Sequence, residues 1–127
     1  MDLLGGDRVQ APACDARAIG RDAWLVTVRG DLDFTGARAL AAELEEVLGA
    51  GASTLVFDLR ESAYLDSTGV AVLAQAAAEL SRRDGAGALV GPHPHAERVL
   101  ATTGLDRRFQ LASTVTDALA NFEPQRS

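Results

Sequence analysis

The chain has 127 residues, of which 47% are hydrophobic and 24% charged, so it can bury the core of one compact domain and is not a disordered chain. Twelve basic residues against eighteen acidic ones give a net charge of −6, which opposes binding to nucleic-acid phosphates or anionic lipids. All the basic residues are arginine, which excludes chemistry that needs a lysine, such as ATP hydrolysis at a phosphate-binding loop.

The cysteine and histidine content argues against a disulfide or a metal site. The single cysteine, Cys14, cannot close an internal disulfide. His93 and His95 lack a third convergent ligand, so we interpret them as loop residues and expect neither a metal nor another cofactor. The chain has no apolar run long enough to span a membrane, and its first residues lack the features of a secretory signal. We therefore expect a cytoplasmic protein.

The composition along the chain predicts a single domain between two short flanking segments. Residues 1–12 mix Gly, Asp, Gln and Pro without apolar periodicity, which is typical of a flexible leader. We expect one domain over residues 13–123 and a short tail over residues 124–127.

The first predicted elements are an antiparallel hairpin and a helix. Residues typical of β-strands over 16–19 and 23–29 flank Gly20-Arg21-Asp22, which suits a tight turn. Apolar residues then recur at helical spacing from Ala37 to Leu48. We expect Thr35 to be the N-cap of this helix.

Strands and helices alternate in the rest of the chain. An almost continuous apolar run over residues 54–59 is typical of a central strand, and residues 70–80 follow it with helical spacing. We predict a further strand over residues 86–90, a short helix over 95–103, a brief edge strand over 109–111 and a last helix over 115–122. Ser113 or Thr114 is the expected N-cap of the last helix. This pattern predicts an α/β fold: a mixed sheet with an N-terminal hairpin and then βα units, packed with about four helices.

The most informative segment is Leu65-Asp66-Ser67-Thr68-Gly69-Val70, which places two hydroxyls and a carboxylate at the start of a helix. An ordinary capping turn explains it, because Asp66 or Ser67 would accept hydrogen bonds from the free N–H groups of the first turn. Ser67 is also well placed for modification, since a phosphate at a helix N-terminus meets N–H donors and the positive end of the helix dipole. The pattern alone leaves both interpretations open.

Enzymatic interpretations of this segment fail. Ser67 lacks the Gly-x-Ser-x-Gly context of a hydrolase nucleophile, and the histidines lie far along the chain. Aspartic-protease chemistry needs paired Asp-[Ser/Thr]-Gly loops, whereas an extra residue here separates Ser67 from Gly69. We therefore expect a protein that is not an enzyme. Asp31 and Asp33, just before the first helix, are by themselves solvated loop acids.

Three segments together resemble the STAS domain family, named for sulphate transporters and anti-sigma factor antagonists. Residues 56–73, VFDLRESAYLDSTGVAVL, resemble its signature, and residues 30–35, GDLDFT, resemble its second motif, Gly-Glu-Leu-Asp followed by Thr. Residues 98–109 resemble a third, weaker segment. Two positions depart from the family pattern, since Asp31 replaces the commoner Glu and Gly36 the commoner Ala. The resemblance implies a small sheet surrounded by helices, in agreement with the predicted elements.

The resemblance also implies a function. Most free-standing members of this family are anti-sigma factor antagonists. Such a protein binds an anti-sigma factor that is also a GHKL-type serine kinase, and the sigma factor is thereby released. The kinase then phosphorylates the serine after the motif aspartate, here Ser67, and the complex dissociates until a serine phosphatase restores the binding form. The resemblance implies that Asp33 and Asp66 orient this hydroxyl or contact the partner. The residues expected to bind the partner are Asp31, Asp33, Asp66, Ser67, Thr68 and Gly69.

A second interpretation is compatible with the same family. The chain could be a STAS subunit of a larger assembly, such as a lipid-transport or stress-signalling complex, with a structural or nucleotide-binding role. The retained Ser67 favours the phosphorylation-regulated binding protein. For that function we expect no nucleic-acid partner and no membrane partner.

Overall fold

The computed structural model describes residues 13–122. The predicted leader and tail, residues 1–12 and 124–127, lie outside the described residues. The described part forms five strands and four α-helices: β1 (Cys14–Gly20), β2 (Ala23–Arg29), α1 (Phe34–Gly49), β3 (Thr54–Glu61), α2 (Ser67–Arg82), β4 (Ala86–Val90), α3 (Pro94–Thr103), β5 (Gln110–Ala112) and α4 (Val115–Phe122). A single 3-10 turn, Leu105–Arg107, connects α3 to β5.

The strands form one mixed sheet in the order β1-β2-β3-β4-β5. β1 and β2 pair antiparallel as the predicted hairpin, whereas β2, β3, β4 and β5 are all parallel. The predicted α/β fold is therefore confirmed. Because the parallel strands all end at the same edge, the loops that follow β2, β3 and β4 lie along that edge.

Helices cover both faces of the sheet, which explains the continuous apolar run of β3. Phe57 faces α1, α2 and α3 and is fully buried, and its ring meets Phe109 edge-on with the ring centroids 5.7 Å apart. Val56, the next residue on the opposite face, packs in a smaller cluster with Ala118 of α4. Within residues 13–122 no helix combines the length and the apolar composition needed to cross a membrane.

The predicted cap of α1 was wrong. Asp33, not Thr35, is the N-cap, because the helix already begins at Phe34 and the Asp33 side chain accepts a hydrogen bond from Gly36 N at 3.1 Å. Thr35 therefore lies inside the first turn. For α4, the structure selects Thr114 from the two predicted alternatives, since its hydroxyl accepts a bond from Asp117 N at 3.0 Å.

The corrected cap predicts different costs for two neighbouring substitutions. Asp33→Ala should lower the free energy of unfolding by about 1 kcal/mol, because it leaves the Gly36 N–H without its acceptor. Thr35→Ala should change it by less than about 0.5 kcal/mol, because Thr35 is exposed. Urea unfolding of both variants and the parent measures the difference, and a larger loss in Thr35→Ala would contradict the assignment.

Candidate functional site

Two loops that are far apart in sequence are joined at the carboxyl edge of the sheet. The loop after β2 and the loop after β3 are connected by hydrogen bonds from Leu32 N to Tyr64 O (2.8 Å) and from Asp66 N to Leu32 O (3.3 Å). A further bond joins Gly30 N to Glu61 O at 2.9 Å. We call residues 30–36 and 62–69 together the Ser67 edge.

Asp66 is the N-cap of α2, as one of the two capping alternatives predicted. Its Oδ1 accepts hydrogen bonds from Thr68 N (2.9 Å), Gly69 N (3.3 Å) and Thr68 Oγ1 (2.5 Å). Ser67 is the first residue of the helix and is exposed. Of the Asp66 side-chain bonds within residues 13–122, none goes to the Ser67 hydroxyl, so the carboxylate organises the turn rather than that hydroxyl.

The two neighbouring hydroxyls of this turn differ in their surroundings. Thr68 is half-buried, and its hydroxyl donates to the Asp66 carboxylate. The Ser67 side chain projects from the first helical position, where α2 leaves the backbone N–H of Ser67 without a helical acceptor. Ser67 is therefore the accessible hydroxyl of the pair.

Glycines allow the close packing of this edge. A Cβ added at Gly69 would lie 2.8 Å from Leu32 O and 2.7 Å from Leu65 Cδ1, so the first turn of α2 packs directly on the other loop. At Gly36, where the family more often has Ala, a Cβ would overlap with the carbonyl oxygen of Asp31. Glycine at position 36, in place of the family's commoner Ala, thus allows the backbone of Asp31 to approach the first turn of α1 closely.

The Ser67 edge is acidic. Asp31 and Asp33 are exposed and Asp66 is half-buried. The hydrogen bond from the Thr68 hydroxyl is the main reason that the pKa of Asp66 lies below its ordinary value of 3.8, and the backbone N–H groups of Gly69 and Thr68 lower it further. At neutral pH this carboxylate is charged, and any group added at Ser67 enters a negatively charged surface.

The lowered pKa of Asp66 predicts a pH-dependent stability difference. A carboxyl whose pKa is lower in the folded state stabilises the fold above its ordinary pKa, and this contribution is lost as the pH falls through the folded value. Asp66→Asn keeps a good capping residue but does not titrate. The parent should therefore lose stability faster than Asp66→Asn as the pH falls below about 4.

Urea unfolding of parent and Asp66→Asn between neutral pH and acid measures this difference. Asp58 and Glu79, whose pKa values are also lowered, mainly by hydrogen bonds from Arg60 and Arg83, titrate in both proteins and cancel in the comparison. If the difference in the free energy of unfolding between the two proteins does not change with pH, the Asp66 charge does not stabilise the fold.

Two exposed aromatic residues of this edge were not predicted from the sequence. Phe34 is 62% exposed and Tyr64 is 43% exposed. Phe34 lies three residues before Ala37, so helical periodicity alone would place it on the buried stripe. The sequence gives one indication that these residues belong to the site: both lie within the segments that resemble the family motifs.

The histidines extend the same edge rather than forming a separate site. The interpretation of both histidines as loop residues was wrong for His95, which lies in the first turn of α3 and is half-buried, whereas His93 is the N-cap residue of that helix. The His95 ring stacks on Tyr64 with centroids 5.2 Å apart and an angle of 8° between the rings. Within residues 13–122 no group of three or more His, Cys, Asp or Glu side chains could hold a metal ion. The N-terminus of α3 thus lies beside the loop that precedes Ser67.

Known proteins resemble this chain in sequence and in fold. The anti-sigma-F factor antagonist RsfB of Mycobacterium tuberculosis is 30% identical over 95 residues, which cover 75% of this chain and 77% of that protein. The crystal structure of an anti-sigma factor antagonist from Mycobacterium paratuberculosis superposes with a TM-score of 0.76 and 29% identity, over 91% of this chain and 99% of that one.

A third protein shares the fold at lower identity. The Bacillus cell fate determinant SpoIIAA in its phosphorylated form superposes with a TM-score of 0.71 and 22% identity, over 86% of this chain and 98% of that one. The model of the STAS domain family matches residues 15–118, which include both loops of the Ser67 edge. This match and the mycobacterial similarity agree with the motifs seen in the sequence, and the chain belongs to the STAS domain family.

Proposed function

We propose that this protein is a cytoplasmic anti-sigma factor antagonist that binds a GHKL-type serine-kinase anti-sigma factor and is released when that kinase phosphorylates Ser67. The 30% identical mycobacterial relative, which carries the name of an anti-sigma factor antagonist, supports the class of partner. The observation that supports phosphorylation at Ser67 is that this residue is exposed at the start of α2. The neighbouring Asp66 carboxylate accepts its hydrogen bonds from Thr68 and Gly69 and not from the Ser67 hydroxyl. The domain over residues 13–123 would be the binding unit, and Ser67 a substrate rather than a catalytic group.

The surroundings of the two hydroxyls favour Ser67 over Thr68 as the phosphate acceptor. A kinase must place the accepting oxygen in line with the γ-phosphate and remove its proton. Thr68 would have to break its 2.5 Å bond to Asp66 and expose a half-buried side chain. Ser67 can enter a kinase site without disturbing the cap of α2.

A phosphate on Ser67 would act mainly on the interface and not on the fold. The start of α2 tolerates an anion, because of the helix dipole and the unpaired N–H of the first residue. Binding a partner, however, would require the desolvation of about −1.5 to −2 added charges on an edge that already carries Asp31, Asp33 and Asp66. A penalty on the order of 3 kcal/mol weakens binding more than about 100-fold.

The six residues implied by the family resemblance contribute to the proposed contact in different ways. Asp31, Asp33 and Ser67 are exposed, so a partner can reach them, whereas Thr68 and Asp66 are half-buried and shape the turn. Gly69 is buried and acts by allowing the two loops to pack together. A serine phosphatase would then reach the phosphate at the same exposed position and restore the binding form.

The test is to map the modified residue. Each GHKL-type anti-sigma factor of the source genome, purified separately, is incubated with the protein and ATP, and the products are analysed by peptide mass spectrometry. We expect one kinase to phosphorylate Ser67 in the parent and in Thr68→Ala, and to leave Ser67→Ala unmodified. Phosphorylation of Ser67→Ala on Thr68, or on Ser81 near the end of α2, would refute the assignment. A protein that none of these kinases binds or modifies would instead fit a subunit of a larger assembly.

A further inference from the structure

We infer that Phe34 and Tyr64 are the two apolar anchors of the Ser67 edge and that the anti-sigma factor receives them in apolar pockets bordered by basic side chains. This inference rests on the proposed function, because it names the chemistry of the same partner. It concerns affinity, and not the phosphate acceptor.

Exposure of large apolar side chains is concentrated at this edge. Within residues 13–122 the large hydrophobic residues that are exposed are Phe34 (62%), Tyr64 (43%) and Leu111 (42%). Two of these three lie within the Ser67 edge, while Leu111 lies on the edge strand β5. Exposed aromatic residues that are grouped beside polar groups are typical of protein interfaces.

Both rings are already held in position. The guanidinium of Arg38, one turn along α1, lies 5.8 Å from the centroid of the Phe34 ring. The Tyr64 ring stacks on His95, and the Tyr64 carbonyl accepts the hydrogen bond from Leu32 N. A ring that is fixed before binding loses little conformational entropy when a partner covers it, which is a property of residues that dominate binding energy.

The charges around the rings define the partner surface. The exposed carboxylate of Asp33 directly precedes Phe34, that of Asp31 lies three residues before it, and the charged carboxylate of Asp66 lies two residues after Tyr64. The Arg38 guanidinium beside Phe34 offsets one of these three negative charges, so the edge keeps a net negative charge. A complementary surface therefore has arginine or lysine residues around the pockets that receive the rings. A negatively charged partner surface, or a second copy of this acidic edge, would be repelled.

The experiment compares three variants that each lose one exposed side chain: Phe34→Ala, Tyr64→Ala and, as the matched control, Leu111→Ala. The affinity of each variant for the purified anti-sigma factor that phosphorylates the parent is measured by calorimetry without ATP, at about 0.1 M and about 0.5 M salt. We expect each aromatic variant to bind about tenfold more weakly or worse, and Leu111→Ala to bind within about twofold of the parent. High salt should weaken the binding of the parent.

Further measurements separate the possible failures. Tyr64→Phe keeps the ring that stacks on His95 and should bind within about threefold of the parent, which would show that the ring and not the hydroxyl is the anchor. Aromatic variants that fold and bind like the parent would overturn the inference while leaving the proposed function intact. The inference would also be wrong if the parent self-associates, Phe34→Ala does not, and both bind the anti-sigma factor with the same affinity. A parent that binds no anti-sigma factor would refute the proposed function itself.

Discussion

Ser67→Asp should weaken binding of the anti-sigma factor at least about tenfold and leave the stability of the fold unchanged. The new carboxylate lies at the first residue of α2, where the helix dipole favours an anion, so the free energy of unfolding should not fall. When the partner binds, the same carboxylate must be desolvated beside Asp66. This cost arises only in the complex and not in the free protein. Affinity and stability should therefore change independently.

Ser67→Ala is the companion variant. Because Asp66 caps the helix, removal of the Ser67 hydroxyl should change the free energy of unfolding by less than about 0.5 kcal/mol. The variant should bind the anti-sigma factor like the parent and should stay bound after ATP is added. In a cell it would act as a permanent antagonist.

Thermal melts and calorimetric titrations of both variants against the same partner test this pair of expectations. If affinity merely follows stability, or if Ser67→Asp binds like the parent, Ser67 is only a residue of a capped turn. Thr68→Ala is the internal control, since it removes a hydroxyl that bonds to the cap and should affect stability more than Ser67→Ala does.

Gly69→Ala should lower the free energy of unfolding by about 1–3 kcal/mol. The added Cβ would lie under 3 Å from Leu32 O, which is backbone and cannot move aside cheaply. The first turn of α2 would have to move away from the loop after β2, and the two halves of the Ser67 edge would separate. Partner binding should weaken as well, because Asp33 and Ser67 would no longer keep their relative positions.

Gly49→Ala is the matched control for this substitution. Gly49 is exposed at the end of α1, and a Cβ there meets no atom within 4 Å. Alanine at that position should be neutral or stabilise the fold by up to about 1 kcal/mol. Urea unfolding measures both changes, and equal stabilities for Gly69→Ala and the parent would show that the loops are not packed as closely as described.

The elements with strong periodicity could be predicted from the sequence. The apolar run of β3 and the helical stripe from Ala37 to Leu48 are local patterns, and both predictions are confirmed by the structure. The N-cap of α1 was mispredicted because Asp33 and Thr35 are both good capping residues, and periodicity does not determine which residue starts the first turn.

The assembly of the site depends on contacts that no local pattern contains. The loops after β2 and β3 meet because their strands pair in parallel, and the bond between Leu32 and Tyr64 forms only in that arrangement. The exposure of Phe34 and the stacking of Tyr64 on His95 are likewise properties of the packed molecule. The family resemblance indicated the relevant segments, but one of the roles it implied for Asp66, orienting the Ser67 hydroxyl, is not the role seen in the structure, where Asp66 accepts from the Thr68 hydroxyl.

Release of the anti-sigma factor by phosphorylation of Ser67 can be followed in a single preparation by measuring its affinity before and after modification. The affinity for the anti-sigma factor is measured without ATP for the unmodified protein, for the protein phosphorylated on Ser67, and for the same sample after treatment with a serine phosphatase. We expect affinity to fall more than about 100-fold on phosphorylation and to return to its starting value after the phosphate is removed. Equal affinities of the modified and unmodified protein would show that phosphorylation of Ser67 does not release the anti-sigma factor.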